Sequence, residues 1–93
     1  MSNQEKGYNG YPNYQTWLVA LWLDNDEYEY ENLRSIIRHS KSTYDASQTL
    51  RAHIEENNPL ANEANLFTDL LTSALSEVDY IYIIENIKTE MEE

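Results

Sequence analysis

Apolar side chains recur at helical spacing along most of this chain, and the first stretch is the most apolar. Residues 14–23 carry apolar side chains nearly all round a helical surface. Asn13, directly before them, is a favourable N-cap. Val19 is their only β-branched apolar residue, which favours a helix over a strand. A helix this apolar is expected at the centre of the fold.

The second and third helices have boundaries of their own. Asp26, followed three residues later by Glu29, resembles a capping box at the start of the second helix. Its apolar period fades at His39. The third helix is predicted from about Thr43 to Glu56, because apolar residues recur at every fourth position between them.

The last two helices follow strong start signals. Asn58 and Pro59 combine an N-cap with proline at the first helical position, which predicts the start of the fourth helix. Ser76, followed three residues later by Asp79, resembles another capping pair and predicts the start of the fifth helix at about Ser76. Residues 80–84 alternate as a strand would, but the helical period continues to Met91 and favours a helix.

Glycine is confined to the start of the chain. Gly7 and Gly10 fall in the first ten residues, Pro12 follows, and the next 83 residues contain no glycine. Because hairpin turns usually need glycine, the rest of the chain is predicted to be helical. We therefore expect an all-α fold: a compact single-domain bundle of four to five helices at residues 13–93, with residues 1–12 as a flexible arm.

The helical periods also predict which residues form the core. These residues are Trp17, Leu18, Leu21, Trp22, Leu33, Ile37, Leu50, Ile54, Phe67, Leu71, Leu75, Val78, Ile81 and Ile84.

Composition excludes several classes of protein. Seventeen acidic residues against six Lys and Arg give a net charge of −11 over 93 residues, which disfavours direct binding to nucleic acid or to an anionic membrane. The absence of cysteine excludes a disulfide scaffold and a cysteine-based zinc site. The longest apolar run, residues 17–23, is too short to span a bilayer, and the first six residues lack a signal-peptide pattern. These features predict a soluble, cytoplasmic protein.

The charges are unevenly distributed. Residues 34–53 hold four basic residues and one acid, a local charge of +3, whereas the remainder holds two basic residues and sixteen acids. Arg34 and Arg38 are neighbours on one helical face. They either pair with acids of neighbouring helices or form a docking surface of mixed charge. The first interpretation is favoured, because exposed ion pairs need little energy to be retained.

No arrangement of residues predicts a catalytic or metal site. The acids that begin at Asp24 resemble a calcium loop, but Glu29 stands where glycine is required and Ser35 where the bidentate Glu is required. His39 and His53 alone do not complete a zinc site. Gly-rich phosphate loops and nucleophile elbows are absent from the sequence. We therefore predict a protein that is not an enzyme, with no catalytic, cofactor-binding or metal-binding residues. A small hydrolase would require a cleft that gathers one of the two histidines with carboxylates.

Aromatic residues crowd the first third of the chain, where residues 8–30 hold seven of the eleven. Tyr8 and Tyr11 lie on the glycine-bearing arm, so they either lie back across the helices or await a partner. Tyr28 and Tyr30 are flanked by acids, a setting that suits a protein interface. We predict these four tyrosines as interaction residues.

The resulting hypothesis is a small acidic protein-interaction module whose partner is an unknown protein, and which is itself a monomer or weak homodimer. The alternative is a nucleic-acid-mimicking inhibitor of a DNA-binding or defence protein, since carboxylates on a helical surface can imitate a row of phosphates. Such a mimic would need its acids in a row, with Arg34, Arg38 and Arg51 off that face.

Two blocks of the sequence resemble a known group of proteins. The first is YNG at residues 8–10 with NYQTWLVALWLDND at residues 13–26, and the second is LLTSALSEVDY at residues 70–80. Together they are similar to short uncharacterised proteins of bacteria, plasmids and phages, in which Trp is commoner at the place of Tyr80. The resemblance covers about a third of the chain. It implies one small domain without an assigned activity or functional residues, and its phage and plasmid association makes a role in defence conceivable.

Overall fold

The computed structural model describes residues 8–60 and 63–92 and contains five helices in these ranges. They are α1 (Tyr14–Asn25), α2 (Glu27–His39), α3 (Thr43–Glu56), α4 (Leu66–Ser76) and α5 (Tyr80–Met91). The described residues form no strand, and their only β-type pairing is an isolated bridge between Tyr8 and Tyr11. None of the five helices has the length and apolarity needed to cross a membrane. The prediction of an all-α bundle is confirmed.

Each helix begins after a short polar side chain that accepts a hydrogen bond from the backbone N–H three residues later. These N-caps are Asn13, Asp26, Ser42, Asn65 and Asp79. Such caps satisfy one of the amide groups that a helix leaves without a partner in its first turn. The predicted starts of α1, α2 and α3 are therefore confirmed. The fifth helix begins three residues later than predicted, after Asp79, because Ser76 is the last residue of α4.

The predicted start of the fourth helix is wrong. Asn58 Oδ1 accepts from the N–H of Leu60, two residues later (2.8 Å), which closes a turn through Pro59 and does not initiate a helix. The helix begins seven residues further on, where Asn65 Oδ1 accepts from the N–H of Thr68 (2.9 Å). Asparagine favours turns as well as caps, so the local pattern did not distinguish the two sites.

The centre of the core is α5, and the prediction that α1 is central is wrong. The buried residues of α5 have the spacing i, i+3, i+4 and i+7 and are Tyr80, Ile83, Ile84 and Ile87. This helix packs chiefly against α3 and also contacts α1 and α2. In α1 only Thr16 and Leu23 are buried. The apolar surface of α1 is wider than its neighbours cover, whereas the narrower stripe of α5 matches them.

Four of the predicted core residues are in fact exposed: Leu21, Trp22, Phe67 and Ile81. Four others are buried as predicted: Leu33, Leu50, Val78 and Ile84. The remaining six are half-buried. The buried residues Leu23, Ala46, Tyr80, Ile83 and Ile87 were not predicted as core.

A set of hydrogen bonds, here called the polar latch, joins the first turn of α1 to the loop between α4 and α5. Asn13 Nδ2 donates to the Glu77 carbonyl (2.7 Å), while Asn13 Oδ1 accepts from the N–H of Thr16 (2.8 Å). The Asp79 N–H donates to Oγ1 of Thr16, which is completely buried (2.9 Å). Because hydrogen bonds are directional, the latch fixes how α1 enters the bundle.

Candidate interaction surface

Tyr8 and Tyr11, two of the predicted interaction residues, are joined by a tight turn. Tyr8 and Tyr11 exchange two backbone hydrogen bonds (2.9 and 2.6 Å), and the residues between them, Asn9 and Gly10, have positive φ (47° and 88°). This geometry is that of a type I′ hairpin turn, which Asn-Gly favours because glycine adopts positive φ without strain. The Asn9-Gly10 dipeptide is the sequence signal for this turn, although these residues were predicted only as part of a flexible arm.

Both arm tyrosines lie back across the helices. The Tyr8 ring contacts Trp17, with ring centroids 4.8 Å apart, and the Tyr11 ring contacts Tyr82 at 5.3 Å. The Tyr82 hydroxyl also donates to the Gly10 carbonyl (2.7 Å). Residues 1–7, the rest of the predicted arm, lie outside the described residues, so the flexibility of the arm stays a prediction.

Tyr28 and Tyr30 have different surroundings from each other. Tyr28 is 73% exposed, whereas the Tyr30 hydroxyl donates to Glu90 Oε1 (3.0 Å). That hydrogen bond, together with burial, raises the pKa of Tyr30 above its ordinary value. Tyr30 and Tyr11 both line a cavity of about 30 Å³, which is large enough for a water molecule, and neither Tyr8 nor Tyr28 lines it. Of the four predicted interaction residues, Tyr11 therefore adjoins Tyr8 through the turn and Tyr30 at this cavity.

A much larger concave surface, here called the apolar groove, lies between the end of α1, the end of α3 and α4. Its volume is about 890 Å³. Its apolar lining consists of Trp22, Leu23, Ile54, Pro59 and Leu71, and its polar lining of Asp26, Glu29, His53 and Asn57. Trp22 is 70% exposed although it is one of the largest apolar side chains in the chain. Apolar surface of this kind is typical of binding sites in soluble proteins.

The helix that forms one wall of the groove is incompletely covered. None of the residues of α4 is buried, and α4 makes no contact with another helix as extensive as those among α1, α2, α3 and α5. Leu66, Phe67 and Leu70 are each more than half exposed. Leu75 packs against the core, so α4 is attached by one edge and presents the other to solvent.

The polar residues of the groove are mutually satisfied. The Nε2–H tautomer of His53 donates to Glu29 Oε1 (2.8 Å) and accepts at Nδ1 from the Asn57 side chain (3.3 Å). Glu29, predicted to complete a capping box with Asp26, is therefore engaged across the α2–α3 interface. Asp26 still caps α2 by accepting from the Glu29 N–H (3.2 Å). These contacts hold the wall of the groove in place.

Sequence reasoning assigned Trp22 and Phe67 to the core and so missed the groove. The sequence did contain a signal for an exposed apolar surface, because the apolar face of α4 is unusually wide. In α4, Leu66, Leu70 and Ala74 form one stripe, and Phe67, Leu71 and Leu75 form the adjacent one. A short helix at the edge of a small bundle buries only part of so wide a surface. An apolar surface that exceeds the available cover is an indication of an interface.

The basic residues pair locally. Within the described ranges, the salt bridges of arginine are Arg34–Glu31 (3.5 Å) and Arg51–Glu55 (3.0 Å), both between residues of the same helix. Lys88 donates to Thr43 Oγ1 (3.0 Å). The favoured interpretation, in which Arg34 and Arg38 pair with acids of neighbouring helices, is thus wrong for Arg34, because its partner Glu31 lies one turn away on the same helix. Arg38 forms no salt bridge within the described residues.

The histidines lie in separate settings. His39 Nδ1 is 2.8 Å from the Ser35 carbonyl one turn before it, whereas His53 lies in the groove. In the part of the chain that the structure describes, no group of three or more His, Asp or Glu side chains is arranged to hold a metal ion.

Comparison with known proteins places the chain in a family. A family model described as a family of unknown function, DUF7249, matches residues 4–93, so the chain belongs to this family. Neither the curated proteins nor the solved structures give a match.

Proposed function

We propose that this member of DUF7249 is a small acidic protein-interaction module without a catalytic function, and that its main contact surface is the apolar groove with the exposed side of α4. The observation that carries the proposal is the exposure of Trp22 and Phe67 at 70% and 66%. Large aromatic side chains dominate the energy of protein interfaces when a partner buries them. An isolated small domain gains no stability from leaving them in water.

The absence of a catalytic role is part of the same proposal, and its support is the sequence. The chain holds no nucleophile motif, no phosphate loop and no cysteine. A cytoplasmic location and a monomeric or weakly dimeric state also remain predictions from composition and charge.

The four tyrosines predicted as interaction residues differ in how available they are to a partner. Tyr28 is the one most available to a partner, because 73% of it is exposed. Tyr8 and Tyr11 already contact α1 and α5, so their contribution to an interface would be limited to the outer edges of their rings. Tyr30 would first have to give up its hydrogen bond to Glu90.

The experiment is quantitative affinity capture from cells that naturally contain the protein. Three tagged chains are compared: wild type, the double variant Trp22→Ser/Phe67→Ser, and Tyr44→Ser. Tyr44 is a matched control because it is 64% exposed and does not line the groove. We expect the same proteins to be enriched by wild type and Tyr44→Ser and lost with the double variant. Equal enrichment by all three would contradict the proposed surface.

The same experiment separates the module from the nucleic-acid mimic. A mimic would capture DNA-binding proteins through its carboxylates, so capture would fall steeply with salt. It would be insensitive to Trp22→Ser/Phe67→Ser. Loss of capture with that variant therefore favours the module over the mimic.

A further inference from the structure

We infer that the occupant of the apolar groove is an amphipathic helix of a partner protein whose polar side carries Lys or Arg. This inference rests on the proposed function and names the class of its partner. It follows from the shape of the surface, from the charges around it and from the secondary structure of this chain.

The shape favours a helix. Trp22, Ile54 and Leu71 come from three different helices and line one groove. Grooves between helices accept the apolar face of an amphipathic helix, whereas extended peptides add to an exposed sheet edge. Residues 8–60 and 63–92 offer no strand that could accept such a peptide.

The charges favour a basic partner. The residues that line the groove come from segments 22–29, 53–60 and 63–76, which contain eight acids and no Lys or Arg, although Asp24 and Glu55 line other cavities. Only one of these acids, Glu55, pairs with a Lys or Arg in the described part of the chain. The two acids inside the groove are Asp26 and Glu29. Complementary charge at the rim speeds association and rejects partners of the wrong sign.

The charges also argue against a second copy of this chain as the occupant. A symmetric dimer through the groove would bring Asp26 and Glu29 of one copy towards the same two acids of the other. Each chain carries a net charge of −11, so the repulsion would extend beyond the interface. A partner with Lys or Arg on its polar side removes this repulsion, and its apolar side covers Trp22 and Phe67.

The test uses a synthetic peptide of about 18 residues, built from leucine and lysine with leucine along one helical face. One control peptide has the same composition with the leucines rearranged so that no apolar face forms, and another has glutamate in place of lysine. Binding is followed by NMR through the indole N–H signals of the two tryptophans. Trp22 lines the groove, whereas Trp17 lies against Tyr8, so the second signal is an internal control.

We expect the leucine–lysine peptide to shift the Trp22 indole signal and to leave that of Trp17 in place. Trp22→Ser and Phe67→Ser should each raise the Kd about tenfold, as the loss of a buried aromatic contact does. Tyr44→Ser should leave it within about twofold, because rim and distant positions contribute little. Trp22 lies in the groove and Phe67 on the exposed side of α4, so helicity and Tm should stay at the wild-type values in both variants, and either variant alone suffices for the test.

Several outcomes would overturn the inference. Equal binding of the glutamate peptide would show that charge has no role, and equal binding of the rearranged peptide would show that charge acts alone. A shift at Trp17 in place of Trp22 would put the site elsewhere. Movement of the Trp22 signal with protein concentration alone would identify a second copy as the occupant. A native partner that needs Trp22 and Phe67 but contains no basic amphipathic helix would overturn this inference and leave the proposed function intact.

Discussion

The two ends of α1 differ in how completely their side chains are hydrogen-bonded and buried. At its start, Asn13 and Thr16 make every hydrogen bond of the polar latch, and Thr16 is completely buried. At its end, Trp22 is mostly exposed beside a helix with no buried residue. The difference indicates that the start of α1 serves the stability of the fold, whereas its end is available to a partner.

The polar latch joins two segments that lie more than sixty residues apart, because Asn13 and Thr16 bond to Glu77 and Asp79. Trp22 and Leu70, in contrast, lie on the exposed side of the molecule.

The largest expected contrast is between the core and α4. Ile84→Ala should lower the free energy of unfolding by about 2–5 kcal/mol, because the Ile84 side chain is fully buried. Leu70→Ala should change it by less than about 0.5 kcal/mol, since Leu70 is 58% exposed. Urea unfolding followed by circular dichroism measures both. A loss of more than about 2 kcal/mol for Leu70→Ala would show that α4 is part of the stabilising core.

The next contrast tests the latch against an exposed threonine. Thr16→Val keeps the shape of the side chain but leaves the Asp79 N–H without its acceptor, which should cost about 1–3 kcal/mol. Thr72→Val on α4 is the control, because Thr72 is exposed and its hydroxyl is open to water. Differential scanning calorimetry should show a lower Tm for Thr16→Val alone. Equal Tm values for the two variants would show that the polar latch does not stabilise the fold.

The smallest contrast concerns two tyrosines of α5. Within the described residues the Tyr80 hydroxyl is buried without a hydrogen-bond partner, whereas the Tyr82 hydroxyl donates to Gly10. Tyr80→Phe should therefore leave the free energy of unfolding at pH 7 unchanged or raise it by up to about 1 kcal/mol. Tyr82→Phe should lower it by about 0.5–1.5 kcal/mol. A clear destabilisation by Tyr80→Phe would mean that its hydroxyl has a partner in solution.

The pH dependence sharpens this last contrast. Burial raises the pKa of Tyr80 above its ordinary value of 10.0, so the folded state holds the phenolic proton more tightly than the unfolded state. The corresponding stability is fully present below pH 10 and is lost as pH rises through the folded pKa. Tyr80→Phe should therefore gain stability relative to wild type as the pH rises above 10. A constant difference from pH 7 to pH 11 would contradict the burial of this hydroxyl.

Local sequence determined most of the helix boundaries. Asn13 and Asp26 cap helices where the sequence predicts them, because a cap depends only on a side chain and the backbone three residues away. The same reasoning failed at Asn58, where a turn and a cap require the same residue type. The all-α class followed from the helical period and the confinement of glycine to the first ten residues.

Only the tertiary structure decided which apolar residues are covered. The sequence shows that α1 and α4 are apolar over wide surfaces, but burial depends on how much area the neighbouring helices present. That area depends on the long-range packing of α5 against α3. The apolar period of α1 contains no information about this packing. Trp22 and Phe67 were therefore predicted as core residues from the sequence, whereas the fold leaves them at the surface. The net charge of −11 follows from the sequence alone, whereas the placement of Asp26 and Glu29 beside apolar side chains of three helices required the fold.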